Sequence, residues 1–294
     1  MCKDRAVSIL LPTYNRAELL EKCIDSVLEQ TYPYWELIIY DDASTDETPQ
    51  LAVKIAEKDS RIRPFRAIKK YGLPKIRNET IKLAQYDFIW FIEDDLILEK
   101  KCLEHLIRTY DSFSYKNENK IGCIAPRLIV NSDNYPYLNE NKKFKEQICN
   151  LNPLTGCITC DYDKILENPI EVINVHACSL YVKDFVKKIG GYEEKAFIGN
   201  YAYEDIDLNF RLRREGYHLF FQSNAIVYHN MASFGGCRNF LYFRTLYYQY
   251  RNHILFLIRN FGMKSVYMIP SFFIFILGST ISYFLEKLIK NKSA

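Results

Sequence analysis

The chain has 294 residues, enough to bury a sizeable core in one large domain or two small ones. Its 39 basic and 36 acidic residues nearly cancel, yet residues 231–294 hold eight Lys and Arg, one Glu and 15 of the 44 aromatic side chains. This basic, aromatic tail fits an anionic membrane surface, and its long apolar runs make nucleic acid the weaker partner. The apolar run 7–11 is too short for a signal-peptide core, so we expect residues 1–230 to stay in the cytoplasm.

The first half of the sequence alternates between strand-like and helix-like patterns. Short apolar runs predict buried strands at 7–11, 35–40, 62–68 and 87–92. Helices are predicted at 17–30, 44–58 and 78–85, and Ser44 and Glu47 have the spacing of a capping box. This alternation predicts an α/β fold with a mostly parallel sheet covered by helices on both faces.

Polar side chains follow three of these strands, at 12–15, at 41–42 and at 93–95. Because ligands of such sheets lie beyond the carboxyl ends of the strands, we expect these residues to converge on one rim. Glu93, Asp94 and Asp95 are three consecutive carboxylates, which fit either a solvated turn or a site for Mg²⁺ or Mn²⁺. The chain has no glycine-rich phosphate loop, so a nucleotide would be held by side chains and metal.

The second half is less regular. Residues 131–169 are irregular and polar, which predicts a variable insertion or a loop that orders on binding. A strand at 173–182, a helix at 184–189, a helix at 203–215 and two short strands within 219–229 follow. Cys157 and Cys160 have zinc-ligand spacing, but the other cysteine spacings fit no zinc pattern, and a disulfide is the alternative.

Five ordered motifs in this chain resemble those of family 2 glycosyltransferases of the GT-A fold. They are Leu11-Pro12-Thr13-Tyr14-Asn15-Arg16, Tyr40-Asp41-Asp42-Ala43-Ser44-Thr45-Asp46, Ile76-Arg77-Asn78, Phe91-Ile92-Glu93-Asp94-Asp95 and Tyr203-Glu204-Asp205-Ile206-Asp207-Leu208. The resemblance covers about the first 250 residues. It implies a GT-A type, Rossmann-like mixed sheet, and His229, Tyr248, Arg251 and Asn252 point to the rhamnosyltransferase-like or galactofuranosyltransferase-like members.

The resemblance also implies binding roles. Pro12, Tyr14 and Asp42 would hold the base and ribose of a nucleotide sugar, and Asp42 could equally cap a helix.

Two arginines are implied near the diphosphate. These are Arg77, for which a surface ion pair is the alternative, and Arg251, which could instead face lipid headgroups.

The metal and its neighbours follow from the same resemblance. Asp95 and His229 would bind Mn²⁺ or Mg²⁺, with the imidazole favouring Mn²⁺. Asp94 would contact the ribose or a metal-bound water. Glu93 stands where the family has its first Asp, and we place it with the residues that contact the nucleotide sugar.

Asp205, in the Glu204-Asp205 pair, is the implied catalytic base that takes the proton of the acceptor hydroxyl. The alternative is an acidic residue that merely stabilises a helix N-terminus. Asp207 faces elsewhere on the helix and is the weaker candidate.

The tail contains two predicted helices. Aromatic and aliphatic residues at steps of three and four over 240–261 predict an amphipathic helix that packs on the core or contacts a membrane. Residues 265–285 lack charge and would extend about 31 Å as a helix, enough to span a bilayer or to form a monotopic anchor. We therefore predict a catalytic domain at 1–232 and a membrane-associated helical tail at 233–294.

The sequence thus predicts an inverting, metal-dependent hexosyl- or deoxyhexosyltransferase on the cytoplasmic face of the membrane. The donor would be a nucleotide sugar, and the acceptor a hydroxyl of a lipid-linked or cell-surface glycan. Two alternatives are a polyprenyl-phosphate sugar synthase and a non-catalytic nucleotide-sugar-binding membrane protein.

Overall fold

The computed structural model describes residues 5–114, 120–131, 148–230 and 242–292. Its first part is a β/α alternation built from four strands and three helices. These are β1 (Val7–Thr13), α1 (Ala17–Leu28), β2 (Trp35–Asp41), α2 (Thr48–Ala56), β3 (Ile62–Arg66), α3 (Leu73–Leu83) and β4 (Phe88–Phe91). The strands lie parallel in the order β3-β2-β1-β4, so their carboxyl ends share one edge.

The second part extends this sheet. Its elements are β5 (Leu96–Leu98), α4 (Cys102–Ser114), β6 (Ile121–Asn131), β7 (Cys149–Leu151), β8 (Ile158–Cys160), β9 (Ile170–Glu171), β10 (Leu180–Val182), α5 (Lys183–Lys188), α6 (Glu204–Arg214) and β11 (His218–Asn230). Strand β10 lies antiparallel between β4 and β6, and β11 runs parallel to β6 and antiparallel to β5. The predicted α/β fold with a mostly parallel sheet is confirmed.

Strands β1, β2 and β4 are buried on both faces. Alternate residues of β1 divide between two apolar clusters, with Ile9 against α1 on one face and Leu10 against α3 on the other. Leu208 of α6 also packs in the second cluster. Burial on both sides explains the continuous apolar runs of the strands.

Several predicted boundaries differ from the structure. Helix α2 begins at Thr48, and the Ser44 hydroxyl accepts a hydrogen bond from the Asn15 amide instead of forming a capping box. The predicted strand at 173–182 is reduced to β10, and the two short strands within 219–229 are one strand with a bulge between Gln222 and Ile226.

The described part of the irregular region contains a hairpin of β7 and β8, and residues 132–147 lie outside the described residues. Cys149 pairs in register with Cys160, and the seven described cysteines are free thiols, so Cys157 and Cys160 form no disulfide. Within the described ranges, the only group of three potential metal ligands contains no cysteine, which gives the zinc alternative no support.

The tail forms α7 (Tyr242–Phe261), a 3₁₀ turn (Gly262–Lys264) and α8 (Ser265–Lys292). The inner face of α7 is part of the core, because Phe256 and Leu257 are fully buried in a cluster with Phe197 and Met268. The segment 243–278 is long and apolar enough to cross a membrane, and only 17% of its most apolar part is buried.

Candidate active site

A cavity of about 380 Å³ opens at the carboxyl ends of β1, β2 and β4, where the sequence predicted a site. Its lining residues come from these ends, the 70–76 segment, the residues before α6 and the end of β11. They are Pro12, Thr13, Tyr14, Arg16, Asp42, Lys70, Gly72, Leu73, Ile76, Glu93, Asp94, Asp95, Ala177, Gly199, Asn200, Tyr201, Ala202, Glu204, Asp205 and His229. Nine of the eleven predicted site residues therefore share one cavity, and Arg77 and Arg251 do not line it.

Asp94 is held from two sides. Arg16 Nη1 lies 2.7 Å from Asp94 Oδ1 and 3.3 Å from Asp95 Oδ2, and the Thr13 hydroxyl donates to Asp94 Oδ2 at 2.8 Å. Burial raises the pKa of Asp94 to about 6, against the opposing effect of Arg16. Sequence reasoning missed Arg16 and Thr13, although both lie within the first quoted motif.

Three potential metal ligands meet beside Asp94. Ligand atoms of Glu93, Asp95 and His229 all lie within 4.8 Å of one another, and His229 Nε2 is 3.3 Å from Asp95 Oδ1. The register of β11 on β5 causes this approach, because His229 pairs with Leu96, the residue after Asp95. Two carboxylates and an imidazole at this separation fit Mn²⁺ or Mg²⁺ with open positions for a ligand. Glu93 thus lies with the metal candidates.

Glu204 and Asp205 begin α6 and line the same cavity. Glu204 forms a buried ion pair with Arg77, while its Oε2 has no hydrogen-bond partner among the described residues. Burial raises the pKa of Glu204 to about 8, reinforced by Asp205 and Glu93 and opposed by Arg77. Burial also raises the pKa of Asp205, whose Oδ1 accepts the Ile206 amide at 2.9 Å. Both carboxyls are therefore better proton acceptors than exposed ones.

Arg77 lies beneath the cavity and not at its wall. The side chain is 1% exposed, and its guanidinium pairs with Glu204 and, at 3.0 Å, with Glu93. The sequence predicted Arg77 near the diphosphate of a donor, but its side chain does not line the cavity, and its burial excludes the alternative of a surface ion pair. Its charge instead compensates two acidic residues that line the cavity.

The part of the cavity where the sequence predicted the nucleotide is formed by Tyr14, Asp42 and the 70–72 segment. Asp42 accepts hydrogen bonds from the amides of Tyr71 at 2.6 Å and Gly72 at 2.9 Å, and burial raises its pKa. Lys70 Nζ lies 3.4 Å from the centre of the Tyr14 ring. The sequence motifs did not include Lys70 or Gly72, because their role depends on how residues far apart in sequence meet.

Asp207 is a structural residue. It is fully buried, with Arg211 Nε at 2.8 Å, Arg259 Nε at 3.2 Å and Asn260 Nδ2 at 2.8 Å. Its carboxylate joins α6 to α7 and does not line the cavity. The weaker base candidate is thereby removed.

Left-handed backbone conformations cluster at this site. Asn15, Ala43, Tyr201 and Tyr203 have φ between 53° and 73°, and they are the non-glycine residues with positive φ in the described ranges. Each lines the cavity or lies next to a residue that does. Such conformations persist only where the surrounding structure holds them, and they concentrate at functional sites.

The fold is that of a known class of enzymes. The fold is similar to that of TarS of S. aureus, residues 1–349 in complex with UDP-GlcNAc, at a TM-score of 0.60 and 15% identity over 91% of this chain and 71% of that one. The mannosyltransferase PcManGT of Pyrobaculum calidifontis, with GDP-Man and Mn²⁺, matches with a TM-score of 0.58 and 14% identity over 94% of this chain and 75% of that one. The architecture is therefore that of GT-A glycosyltransferases.

Residues 8–162 match the model of Glycosyl transferase family 2, more than half of the chain, and the protein belongs to this family. It is 33% identical over 191 residues to the UDP-Glc:alpha-D-GlcNAc-diphosphoundecaprenol beta-1,3-glucosyltransferase WfgD of Escherichia coli, covering 61% of this chain and 68% of that protein. It is 30% identical over 100 residues to the glycosyltransferase GlyG of Streptococcus pneumoniae, covering 34% of this chain. The matched segment spans only 33% of GlyG.

Proposed function

We propose that this protein transfers a sugar from a nucleotide sugar to a hydroxyl of a lipid-linked or cell-surface glycan, with inversion and with a divalent metal. The observation that carries the proposal is that Asp205 lines the same cavity as Glu93, Asp95 and His229. Asp205 offers a proton acceptor, and the other three side chains offer a cation site. Direct displacement at an anomeric carbon needs both.

The donor would lie with its nucleoside at Tyr14 and Asp42 and its diphosphate toward Asp95 and His229. A metal bound there would stabilise the negative charge of the departing diphosphate. The hydroxyl oxygen of the acceptor bonds to the anomeric carbon while the bond from that carbon to the diphosphate breaks. Asp205 accepts the proton that the hydroxyl loses. Attack from the Asp205 side, opposite the leaving group, inverts the configuration.

An exposed apolar surface on the tail supports a membrane-bound acceptor. Phe243 and Tyr247 of α7 and Ile274 and Leu277 of α8 are between 62% and 83% exposed. Such a surface fits lipid, and Lys264 between the two helices suits anionic headgroups. The acceptor in the printed name of WfgD is also lipid-linked. We place the protein on the cytoplasmic face, where nucleotide sugars are available.

Transfer can be tested with the full chain in detergent, a panel of UDP- and GDP-sugars and undecaprenyl-diphosphate-linked sugars as acceptors, with Mn²⁺, Mg²⁺ or EDTA. We expect one donor class to give a metal-dependent glycosidic product of inverted anomeric configuration by NMR. Transfer of the sugar to the phosphate oxygen of a polyprenyl phosphate, with release of the nucleoside diphosphate, would identify the synthase alternative, and nucleotide-sugar binding without turnover would identify the non-catalytic one.

Membrane association has its own test in vesicle flotation. We expect the wild-type protein to float with anionic vesicles and Ile274→Glu to float less. Ile68→Glu is the matched control, because Ile68 is equally apolar and 90% exposed but lies near the rim of the catalytic sheet. Equal flotation of both variants would contradict the assignment of the lipid-binding surface to the tail.

A further inference from the structure

The 196–202 loop forms the cavity wall that leads into the catalytic helix. Gly199, Asn200, Tyr201 and Ala202 line the cavity, and the chain passes from them through Tyr203 directly to Glu204 and Asp205. Tyr201 and Tyr203 have left-handed backbone conformations. Because such conformations are unfavourable for these residues, other contacts must hold the loop in this shape.

Hydrogen bonds from α7 provide this support. Arg251 Nη1 donates to the carbonyl of Ala196 at 2.8 Å, and Asn252 Nδ2 donates to the carbonyl of Ile198 at 3.1 Å. Asn252 Nδ2 also lies 3.3 Å from Asn200 Oδ1. Asn252 is fully buried, and its Oδ1 accepts from Arg251 Nη1 at 2.8 Å, so the two side chains support each other.

Close packing fixes the same loop. A Cβ placed on Gly199, where φ is +82°, would lie 2.2 Å from the Tyr248 ring of α7. Phe197 is fully buried in a cluster with Phe256 and Leu257, which also belong to α7. The loop therefore follows the position of α7, although α7 contributes no residue to the cavity lining.

We propose that Arg251 and Asn252 are positioning residues, which hold the 196–202 loop so that Asp205 faces the acceptor hydroxyl. The inference rests on the proposed transfer function and assigns Arg251 a role away from the diphosphate. No described hydrogen bond joins this pair to Tyr14 or Asp42 at the nucleoside end of the cavity, which the loop reaches through Tyr201, packed against Gly72. Loss of the pair should therefore affect turnover much more than nucleotide binding.

The test compares Arg251→Gln, Arg251→Lys, Asn252→Leu and Gln249→Leu in the full chain. Arg251 is only half-buried, so its substitution preserves the core even if Asn252→Leu does not fold. Gln249 is an exposed residue of the same helix, and the matched control. The readouts are kcat, binding of UDP and GDP in the presence of Mn²⁺, and hydrogen exchange of the 196–203 amides.

We expect Arg251→Gln to lower kcat by about 10- to 100-fold, because small displacements of a catalytic group have effects of this size. Nucleotide binding should stay within about twofold of wild type, and the 196–203 amides should exchange faster. Arg251→Lys, which keeps one donor, should recover part of the rate, and Gln249→Leu should match wild type.

Unchanged kcat and exchange in Arg251→Gln would overturn the proposal, as would equal losses of turnover and nucleotide binding. If the wild-type protein turns over no donor, the proposed function fails. The exchange measurement still tests the support of the loop in that case, because it does not depend on activity.

Discussion

The cavity contains two acidic clusters of similar composition in different surroundings. Glu93, Asp94 and Asp95 follow β4 and face Arg16, Thr13 and His229. Glu204 and Asp205 begin α6, and the cation that compensates them is Arg77. Since Arg77 also pairs with Glu93, one buried guanidinium joins the two clusters.

The difference between the clusters separates their chemistry. The cluster after β4 brings two carboxylates and an imidazole together, which suits a divalent cation. The α6 cluster contains no imidazole in the described structure, and burial raises the pKa of both its carboxyls, which suits proton transfer. Environment, more than residue type, thus distinguishes the metal candidates from the base candidate.

Replacement of the base should have the largest effect. Asp205→Asn keeps the shape of the side chain but removes its ability to accept a proton, so we expect kcat to fall by about 10³-fold, within the range of general base catalysis. Nucleotide binding, measured by calorimetry with Mn²⁺, should persist. Asp184→Asn, in the first turn of α5, controls for loss of a helix N-terminal charge. Near-normal turnover of Asp205→Asn would remove Asp205 from the mechanism.

Removal of the shared cation should affect stability most. At about pH 9, where Glu204 is ionised as well as Glu93, Arg77→Met leaves both carboxylates without their buried partner, which costs about 3–5 kcal/mol in comparable ion pairs. Urea denaturation measures this loss. Arg108→Met, which removes an exposed ion pair with Glu104, should cost less than about 1 kcal/mol. Similar losses for both variants would show that Arg77 contributes no more than a surface arginine.

Sequence patterns predicted the sheet and its rim well, because strand order in β/α units constrains where polar residues meet. The convergence of Pro12, Asp42 and Asp95 followed from this rule. The position of His229 opposite Asp95 came from the family resemblance, since strand pairing between β5 and β11 is not encoded in local periodicity. No prediction covered β5, α4 or β6.

The positions of Arg77 and Arg251 were harder to predict. A guanidinium near acidic motifs fits a phosphate, a surface pair or a buried pair equally well on sequence alone. Arg77 is internal because Phe91 and Tyr192 pack around it, which the sequence does not reveal. Their ring centres lie 5.9 Å and 5.2 Å from its guanidinium carbon. For Arg251, the amphipathic pattern of α7 did not distinguish core packing from membrane contact.

Substitution of a potential metal ligand is the third test of the difference between the two clusters. Asp95→Asn should weaken Mn²⁺ binding by more than about 10-fold. Loss of a group that only supports a metal ligand already weakens metal binding about 10-fold, and Asp95 is expected to bind the metal directly. Electron paramagnetic resonance titration measures this affinity. Glu171→Gln removes the carboxylate of an exposed pair with His218, 2.9 Å apart, and should leave Mn²⁺ binding unchanged. Unaltered affinity in Asp95→Asn would place the metal elsewhere.

The last expected effect is a pH dependence of stability in EDTA, which is the smallest of the four when it is counted per pH unit. The pKa of Glu204 is about 8 in the folded protein and near the ordinary 4.5 in the unfolded chain. Between these values the folded state keeps a proton that the unfolded state has lost, so stability falls as pH rises from 4.5 toward 8. One proton contributes at most about 1.4 kcal/mol per pH unit.

Glu204→Gln should flatten this dependence, because the amide does not titrate. The difference between the wild-type and Glu204→Gln unfolding curves isolates Glu204 from Asp94, whose pKa of about 6 lies in the same range. Glu57→Gln, at an exposed position after α2, is the matched control. Parallel curves for wild type and Glu204→Gln would mean that Arg77 keeps Glu204 ionised throughout. The carboxylate of Glu204 would then stay ionised, as the carboxylates after β4 are taken to do. Asp205 alone would distinguish the α6 cluster from the cluster after β4.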